Sequence, residues 1–162
     1  MFEELPSRPK KHLSPSEAKL KAARFCAYQE RSQQEVRDKL YEYGLHYNEV
    51  EELLSELIIE GFINEERFAR AYVRGKFKMK KWGRHKILQG LKQHKVSAYC
   101  IKKGWEEIDP NEYEAVMIKL LEQKAGTVKN LQPAHQKAKI ASFLVQRGYE
   151  SEMVWSVLND IY

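Results

Sequence analysis

The sequence predicts an all-α protein in which three tandem three-helix repeats form an elongated, solenoid-like domain. Signals for helix N-termini recur along the whole chain, and six columns of apolar residues repeat in phase. Glycine and proline together supply only 13 of the 162 residues, which is below their usual share. No convincing alternation of apolar and polar residues indicates a strand.

Helix starts are marked by residues that accept hydrogen bonds from the first backbone amides of a helix. Ser14-Pro15-Ser16-Glu17 and Asp109-Pro110-Asn111-Glu112 each combine an N-cap, a proline at the first helical position and a glutamate in the first turn. The further candidate caps are Ser32 with Glu35, Asn48 with Glu51, Asn64, and Ser97. The helices are expected at residues 15–29, 33–43, 49–60, 65–80, 84–94, 98–107, 111–125, 134–147 and 151–160.

Three stretches align at offsets of 51 and then 53 residues. The matching apolar columns are Val36, Ile87 and Ile140; Leu40, Leu91 and Leu144; Leu45, Val96 and Tyr149; Val50, Ile101 and Val154; Leu54, Trp105 and Leu158; and Leu57, Ile108 and Ile161. Each repeat should close its second helix with a left-handed C-cap, at Gly44, Lys95 and Gly148. Because lysine adopts that conformation only with strain, the middle repeat either turns differently or accepts a small cost.

These signals divide the chain into a flexible N-terminal arm over residues 1–13, an acidic repeat 1 over 14–63, a strongly basic repeat 2 over 64–108, and a repeat 3 over 109–162. The net charge of +5 conceals this asymmetry. Residues 67–105 hold 13 lysines and arginines and no acid, whereas residues 48–66 hold seven glutamates and no base. The middle repeat is expected to meet a negatively charged partner, although a merely solvated helix face would carry the same pattern.

At 100° per residue, five cations of the fourth helix fall within a strip about 80° wide. This basic strip consists of Arg67, Arg70, Arg74, Lys78 and Lys81. The opposite, core-facing stripe is predicted to contain Phe68, Ala71, Tyr72, Gly75 and Met79. Phe77 borders the basic strip and is either a ring for a base to stack on or a core residue. The predicted partner-binding or nucleic-acid-binding residues are Arg67, Arg70, Arg74, Phe77, Lys78, Lys81, Arg84 and Lys86.

Residues for catalysis do not form a recognisable pattern. The five histidines are scattered without metal-ligand spacing, and neither a glycine-rich phosphate loop nor a nucleophile elbow occurs. No apolar run reaches the ~20 residues of a membrane span, and no signal peptide opens the chain. We therefore expect a cytoplasmic, monomeric binding protein that is not an enzyme and carries no metal or cofactor.

Residues 60–73, EGFINEERFARAYV, resemble a segment of the RecX family of bacterial recombination regulators. The resemblance continues in Gly83-x3-Ile87-x3-Leu91-x4-Val96 and in Ser32-x2-Glu35-x3-Lys39-Leu40-x3-Gly44, and it spans roughly residues 16–162. Two departures are Asn64, where the family favours aspartate, and Lys95, where it usually has glycine.

The resemblance implies tandem three-helix repeats and a regulator that binds the RecA recombinase filament, in its helical groove, and inhibits ATP hydrolysis and strand exchange. Such a protein would modulate DNA repair and recombination, and single- or double-stranded DNA could be a further partner. One alternative is a stand-alone DNA-binding protein acting through the basic repeat, whose binding should be abolished by reversing Arg70, Arg74 and Lys78 to glutamate. Another alternative is a scaffold for an unrelated acidic protein.

Overall fold

The computed structural model describes residues 12–162, so the arm predicted at residues 1–13 lies outside the description up to residue 11. Within residues 12–162 the chain forms nine α-helices and a 3-10 helix, with no strand, which confirms the all-α prediction. The α-helices are α1 Pro15–Tyr28, α2 Gln33–Glu42, α3 Tyr47–Ile59, α4 Glu65–Lys78, α5 Arg84–Gln93, α6 Ala98–Gly104, α7 Pro110–Ala125, α8 Pro133–Gln146 and α9 Ser151–Ile161. The 3-10 helix Trp105–Glu107 follows α6 directly.

Most helices begin where the capping pattern predicts. The side chains of Ser14, Ser32, Asn64, Ser97 and Asp109 each accept a hydrogen bond from an amide in the first turn. The capping box predicted at Asn48 is wrong. Helix α3 instead begins at Tyr47, where the Glu49 carboxylate accepts a hydrogen bond of 3.1 Å from the His46 amide. The chain passes from α2 to this start through a tight left-handed turn at Gly44.

That left-handed turn occurs in all three repeats. The φ angles are +87° at Gly44, +57° at Lys95 and +103° at Gly148. In each repeat the next residue donates its amide to a carbonyl five positions earlier, as Val96 does to Leu91 over 3.1 Å. The middle repeat therefore turns like the other two, and Lys95 adopts a conformation that usually selects glycine.

Replacing Lys95 with glycine is expected to raise the free energy of unfolding by about 0.5–1 kcal/mol. Relief of the left-handed strain, about 1–2 kcal/mol for a residue with a Cβ, exceeds the entropy that glycine loses on folding, about 0.5–1 kcal/mol. Urea unfolding followed by circular dichroism measures the change. Lys92→Gly, inside α5, is the matched control and should destabilise by about 1 kcal/mol. A loss of stability in both variants would contradict the left-handed conformation of Lys95.

The described chain packs as two compact units, one ending at Phe68 and the other covering Ala69–Tyr162. In the first unit α1, α2 and α3 pack against one another around an apolar core. The second unit contains most of α4 and all of α5–α9, so repeats 2 and 3 share one unit. All residues of the six repeated columns are buried except Trp105 and Ile161, which lies at the end of the last helix and is 55% exposed.

Candidate cationic interface

Helix α4 carries most of the predicted binding residues. The face of α4 that packs in the core determines which of their side chains can point to solvent. Ala69, Val73 and Phe77, spaced four residues apart, are all buried. The predicted core stripe is confirmed at Phe68, which is 5% exposed, but it is wrong at Met79, which is 83% exposed, and Gly75 is partly exposed. The buried side is fixed by α6, whose Gly104 approaches Ala69 and Val73 so closely that an added Cβ would lie 2.9 Å from the Val73 side chain.

Phe77 belongs to this core, which corrects its inclusion among the partner-binding residues. Its side chain is only 1% exposed. The ring centroid lies 5.8 Å from that of Tyr113, and Tyr113 in turn lies 5.2 Å from Tyr149. A ring enclosed in this aromatic cluster offers no face for a base.

The arginines of the basic strip are engaged in ion pairs within the chain. In the first unit, Arg67 pairs with Glu30 and also donates to the Gly61 carbonyl oxygen over 3.0 Å. In the second unit, Arg70 reaches Glu106 at 2.7 Å and Glu107 at 3.5 Å.

Arg74 completes this group, with Nη1 3.4 Å from a Glu107 oxygen. The hydrogen bond from Arg70, aided by nearby Lys103, lowers the pKa of Glu106 below its ordinary value. The acidic 3-10 helix therefore neutralises much of the arginine charge that the sequence assigned to a partner.

Arg84 is held in a similar way. Its guanidinium lies 3.9 Å from the centre of the Tyr113 ring, and Nη1 is 3.4 Å from a Glu150 oxygen. The Tyr113 hydroxyl donates to Glu150 over 2.8 Å and accepts the Arg84 amide over 3.1 Å. Burial raises the pKa of Tyr113 above its ordinary value, so its hydroxyl remains protonated and able to donate. This cluster joins α5 to repeat 3 and is structural.

The remaining cations gather at the end of α4. An open cleft of about 540 Å³, here called the lysine cleft, is lined by Met79, Lys80, Lys81, Trp82, Lys86 and Arg147. Lys76 adjoins it, because its Nζ lies 4.9 Å from the centre of the Trp82 ring while Lys86 Nζ lies 4.5 Å from that centre. None of these cations forms an ion pair with a carboxylate in the described part of the chain.

Backbone hydrogen bonds between the α4–α5 loop and the α8–α9 loop hold the cleft in shape. The amides of Gly83 and His85 donate to the carbonyl oxygens of Arg147 and Gly148, both over 2.9 Å. The hydroxyl of Tyr149 donates to the Lys81 carbonyl oxygen over 2.8 Å. Burial raises the pKa of Tyr149 to about 12, which keeps this donor protonated.

Arg147 contributes a further bond, from Nη1 to the Lys80 carbonyl oxygen over 3.2 Å. Lys81 lies beyond the end of α4 and takes a left-handed φ of +57°, so it does not continue the basic strip as a helical residue. The end of α4 closes this turn through the Lys81 and Trp82 amides, and repeat 3 supports the loop through Arg147 and Tyr149.

The structure separates the predicted site residues into four groups. Lys81 and Lys86 lie together in the lysine cleft, and Lys78 is exposed near the end of α4. The four arginines are ion-paired, and Phe77 is buried. Lys76, Lys80 and Arg147 were missed. The two lysines stand within the acid-free segment but off the strip, whereas no local signal connects Arg147 to it.

Two further classes of site find no support in residues 12–162. No group of histidine, cysteine, aspartate or glutamate there could hold a metal ion. No helix in that range is both long and apolar enough to cross a membrane.

Three family models match consecutive parts of the chain. They describe the first three-helix domain of RecX at residues 18–57, the second at residues 64–104 and the third at residues 112–158. Together they cover most of the chain and follow the order of the three repeats.

Curated relatives and solved structures agree with these matches. The chain is 24% identical to "Regulatory protein RecX" of Amycolatopsis mediterranei, over 94% of this chain and 89% of that protein. It is 25% identical to the protein of the same name in Bacillus mycoides, over 89% of this chain but only 53% of that protein. The crystal structure of RecX from Lactobacillus salivarius superposes with a TM-score of 0.82 at 20% identity, covering 90% of this chain and 95% of that one.

Proposed function

The chain belongs to the RecX family of regulatory proteins, and we propose that it regulates DNA repair and recombination by binding the RecA recombinase filament. The observation that carries the proposal is the match of all three family domains in their expected order. In this proposal the protein acts as a cytoplasmic monomer, lies in the helical groove of the filament, and lowers both ATP hydrolysis and strand exchange.

Opposite charges along the chain support a binding role. Helix α3 presents the exposed carboxylate of Glu52, while Lys78 at the end of α4 presents exposed positive charge elsewhere. A filament built of identical protomers repeats its own acidic and basic surfaces, so a ligand with alternating charge can engage successive protomers. The buried and ion-paired residues of α4 would not contribute directly to this contact.

The test is the rate of DNA-stimulated ATP hydrolysis by RecA on single-stranded DNA, measured as the full-length protein is added. The rate should fall at ratios near or below one molecule per RecA protomer. An unchanged rate, with the protein folded and in excess, would refute the proposal.

A charge reversal locates the contact. Reversing Arg70 and Arg74 would crowd new carboxylates against Glu106 and Glu107, so a loss of inhibition could reflect misfolding. Lys78 is exposed and has no ion pair in the described chain, which makes Lys78→Glu a cleaner change. It should require a several-fold higher concentration for the same inhibition, whereas Lys119→Glu on α7, which is also exposed, should behave as wild type. Equal behaviour of the two variants would remove α4 from the contact.

A further inference from the structure

The lysine cleft concentrates positive charge that no carboxylate of residues 12–162 neutralises through an ion pair. The acidic residues near repeat 2 are taken by arginines: Glu106 and Glu107 bind Arg70 and Arg74, and Glu150 binds Arg84. The lysines of the cleft receive no such partner within residues 12–162. Clustered like charges repel one another, and an unneutralised cluster favours an external anion.

The cleft is also built in advance of any ligand. Its loop is fixed by hydrogen bonds from Tyr149 and Arg147 to the carbonyl oxygens of Lys81 and Lys80. Lys81, at a φ of +57°, closes α4 with a left-handed turn in which the amides of Lys81 and Trp82 donate to the carbonyl oxygens of Phe77 and Lys76.

The cations are close enough together to contact one short stretch of a polyanion. Lys76 Nζ and Lys86 Nζ lie on the Trp82 ring, and the sum of their distances to its centre, 9.4 Å, is the upper limit of their separation. Charges recur along a DNA strand every nucleotide, with an axial rise of about 3.4 Å, so ammonium groups this close together can contact neighbouring phosphates. Arg147 adds a guanidinium from repeat 3, and Met79 is an exposed apolar side chain at the rim.

We propose that the lysine cleft is a composite site, formed by repeats 2 and 3 together, for the phosphodiester backbone of DNA. Lysine ammonium groups bind phosphates as point charges, and this binding releases counterions condensed on the DNA. An acidic protein surface fits less well, because protein interfaces need a sizeable apolar centre, and among residues 12–162 Met79 is the single large exposed apolar side chain lining the cleft. This site does not depend on RecA and would operate on DNA alone.

Binding at the cleft should be independent of base sequence. Trp82 is the aromatic residue that lines it, and Lys76 and Lys86 both lie against that ring. Base stacking needs an open aromatic face, so the contacts fall on phosphates. Oligothymidylate and a mixed-sequence strand of the same length should therefore bind with equal affinity.

The test is fluorescence anisotropy of the full-length protein with labelled single strands of about 30 nucleotides, roughly two site sizes of a typical single-strand binder. Salt is varied from about 50 to about 200 mM. Lys80→Glu combined with Lys86→Glu should weaken binding about tenfold or more at about 100 mM salt, and flatten the slope of log K against log salt by about 1.4. Arg147→Gln should flatten that slope by about 0.7, although Arg147 stands in repeat 3.

The matched control carries the same charge change outside the cleft. Lys92→Glu combined with Lys102→Glu alters two exposed lysines of the same basic repeat, and it should retain most of the affinity. Equal weakening by the two double variants, or an Arg147→Gln slope like that of wild type, would overturn the composite site. Absence of DNA binding at low salt would also overturn it, as would displacement of the DNA by polyglutamate as readily as by tripolyphosphate. Circular dichroism confirms that each variant is folded.

Discussion

Replacing Gly83 with alanine is expected to destabilise the second unit by about 3 kcal/mol. An added Cβ would lie 2.3 Å from the carbonyl carbon of Gly148 and from the amide nitrogen of Tyr149. Both neighbours are backbone atoms, so two loops must separate rather than one side chain rotate, and overpacking of this kind costs about 1–3 kcal/mol. Separation also weakens the hydrogen bonds from Gly83 to Arg147 and from His85 to Gly148, each worth about 1 kcal/mol.

Gly75→Ala is the matched control, because it makes the same chemical change in a helix with nothing within 4 Å of the new Cβ. It should stabilise the protein by about 1 kcal/mol, the difference in helix propensity between the two residues. Urea unfolding followed by circular dichroism gives both values, and hydrogen exchange at the amides of residues 83 and 85 reports on the loop itself. A Gly83→Ala variant as stable as wild type would mean that the two loops are not in contact.

The contact between these loops explains why repeats 2 and 3 share one unit. Arg84 and its neighbours at the start of α5 receive their hydrogen-bond partners from repeat 3, through the Tyr113 hydroxyl and the carbonyl oxygens of Arg147 and Gly148. Helix N-termini usually find such partners in the residue before the helix. Here Gly83 is that residue, and it has no side chain to offer. The N-terminus of α5, and with it the lysine cleft, depends on a repeat some 60 residues away in sequence.

The fold could be predicted well because its signals are local. Caps such as Ser14 and Asn64 act within one helical turn, and the left-handed turn at Gly44 repeats wherever the same column occurs. The failed capping box at Asn48 is a shift of this local kind, since Glu49 reaches His46 instead. The strain at Lys95 could also be foreseen, but only the structure shows that the turn is kept.

The candidate site could be predicted only in part because charge neutralisation is not local. Arg70 and Glu106 are 36 residues apart, and the residues around each of them do not predict that they form an ion pair. The buried face of α4 was equally ambiguous in the sequence, since apolar residues occur on both the Phe68–Tyr72 face and the Val73–Phe77 face. Packing against Gly104 and Tyr113 decides between them. Sequence reasoning therefore located the basic segment, but it did not reveal that the four arginines form ion pairs within the chain.

Replacing Phe77 with alanine is expected to destabilise the second unit by about 3–5 kcal/mol, the usual cost of removing a buried aromatic side chain. The ring is 1% exposed and packs against Tyr113, whose ring packs against Tyr149. Aromatic contacts add about 0.5–1.5 kcal/mol each beyond the area they bury. Because Tyr149 also holds the Lys81 carbonyl oxygen, the cavity should loosen the α4–α5 loop as well.

Met79→Ala is the control for Phe77→Ala, since Met79 lies two residues further along and is 83% exposed. Its effect on the free energy of unfolding should stay within about 0.5 kcal/mol. The comparison separates the two roles that the sequence left open for Phe77. If Phe77 is a core residue, its replacement lowers the urea midpoint for unfolding, and binding decreases only to the extent that the protein unfolds. If Phe77 contacts the partner, its replacement would leave that midpoint unchanged and reduce only binding. That result would contradict the buried position of Phe77.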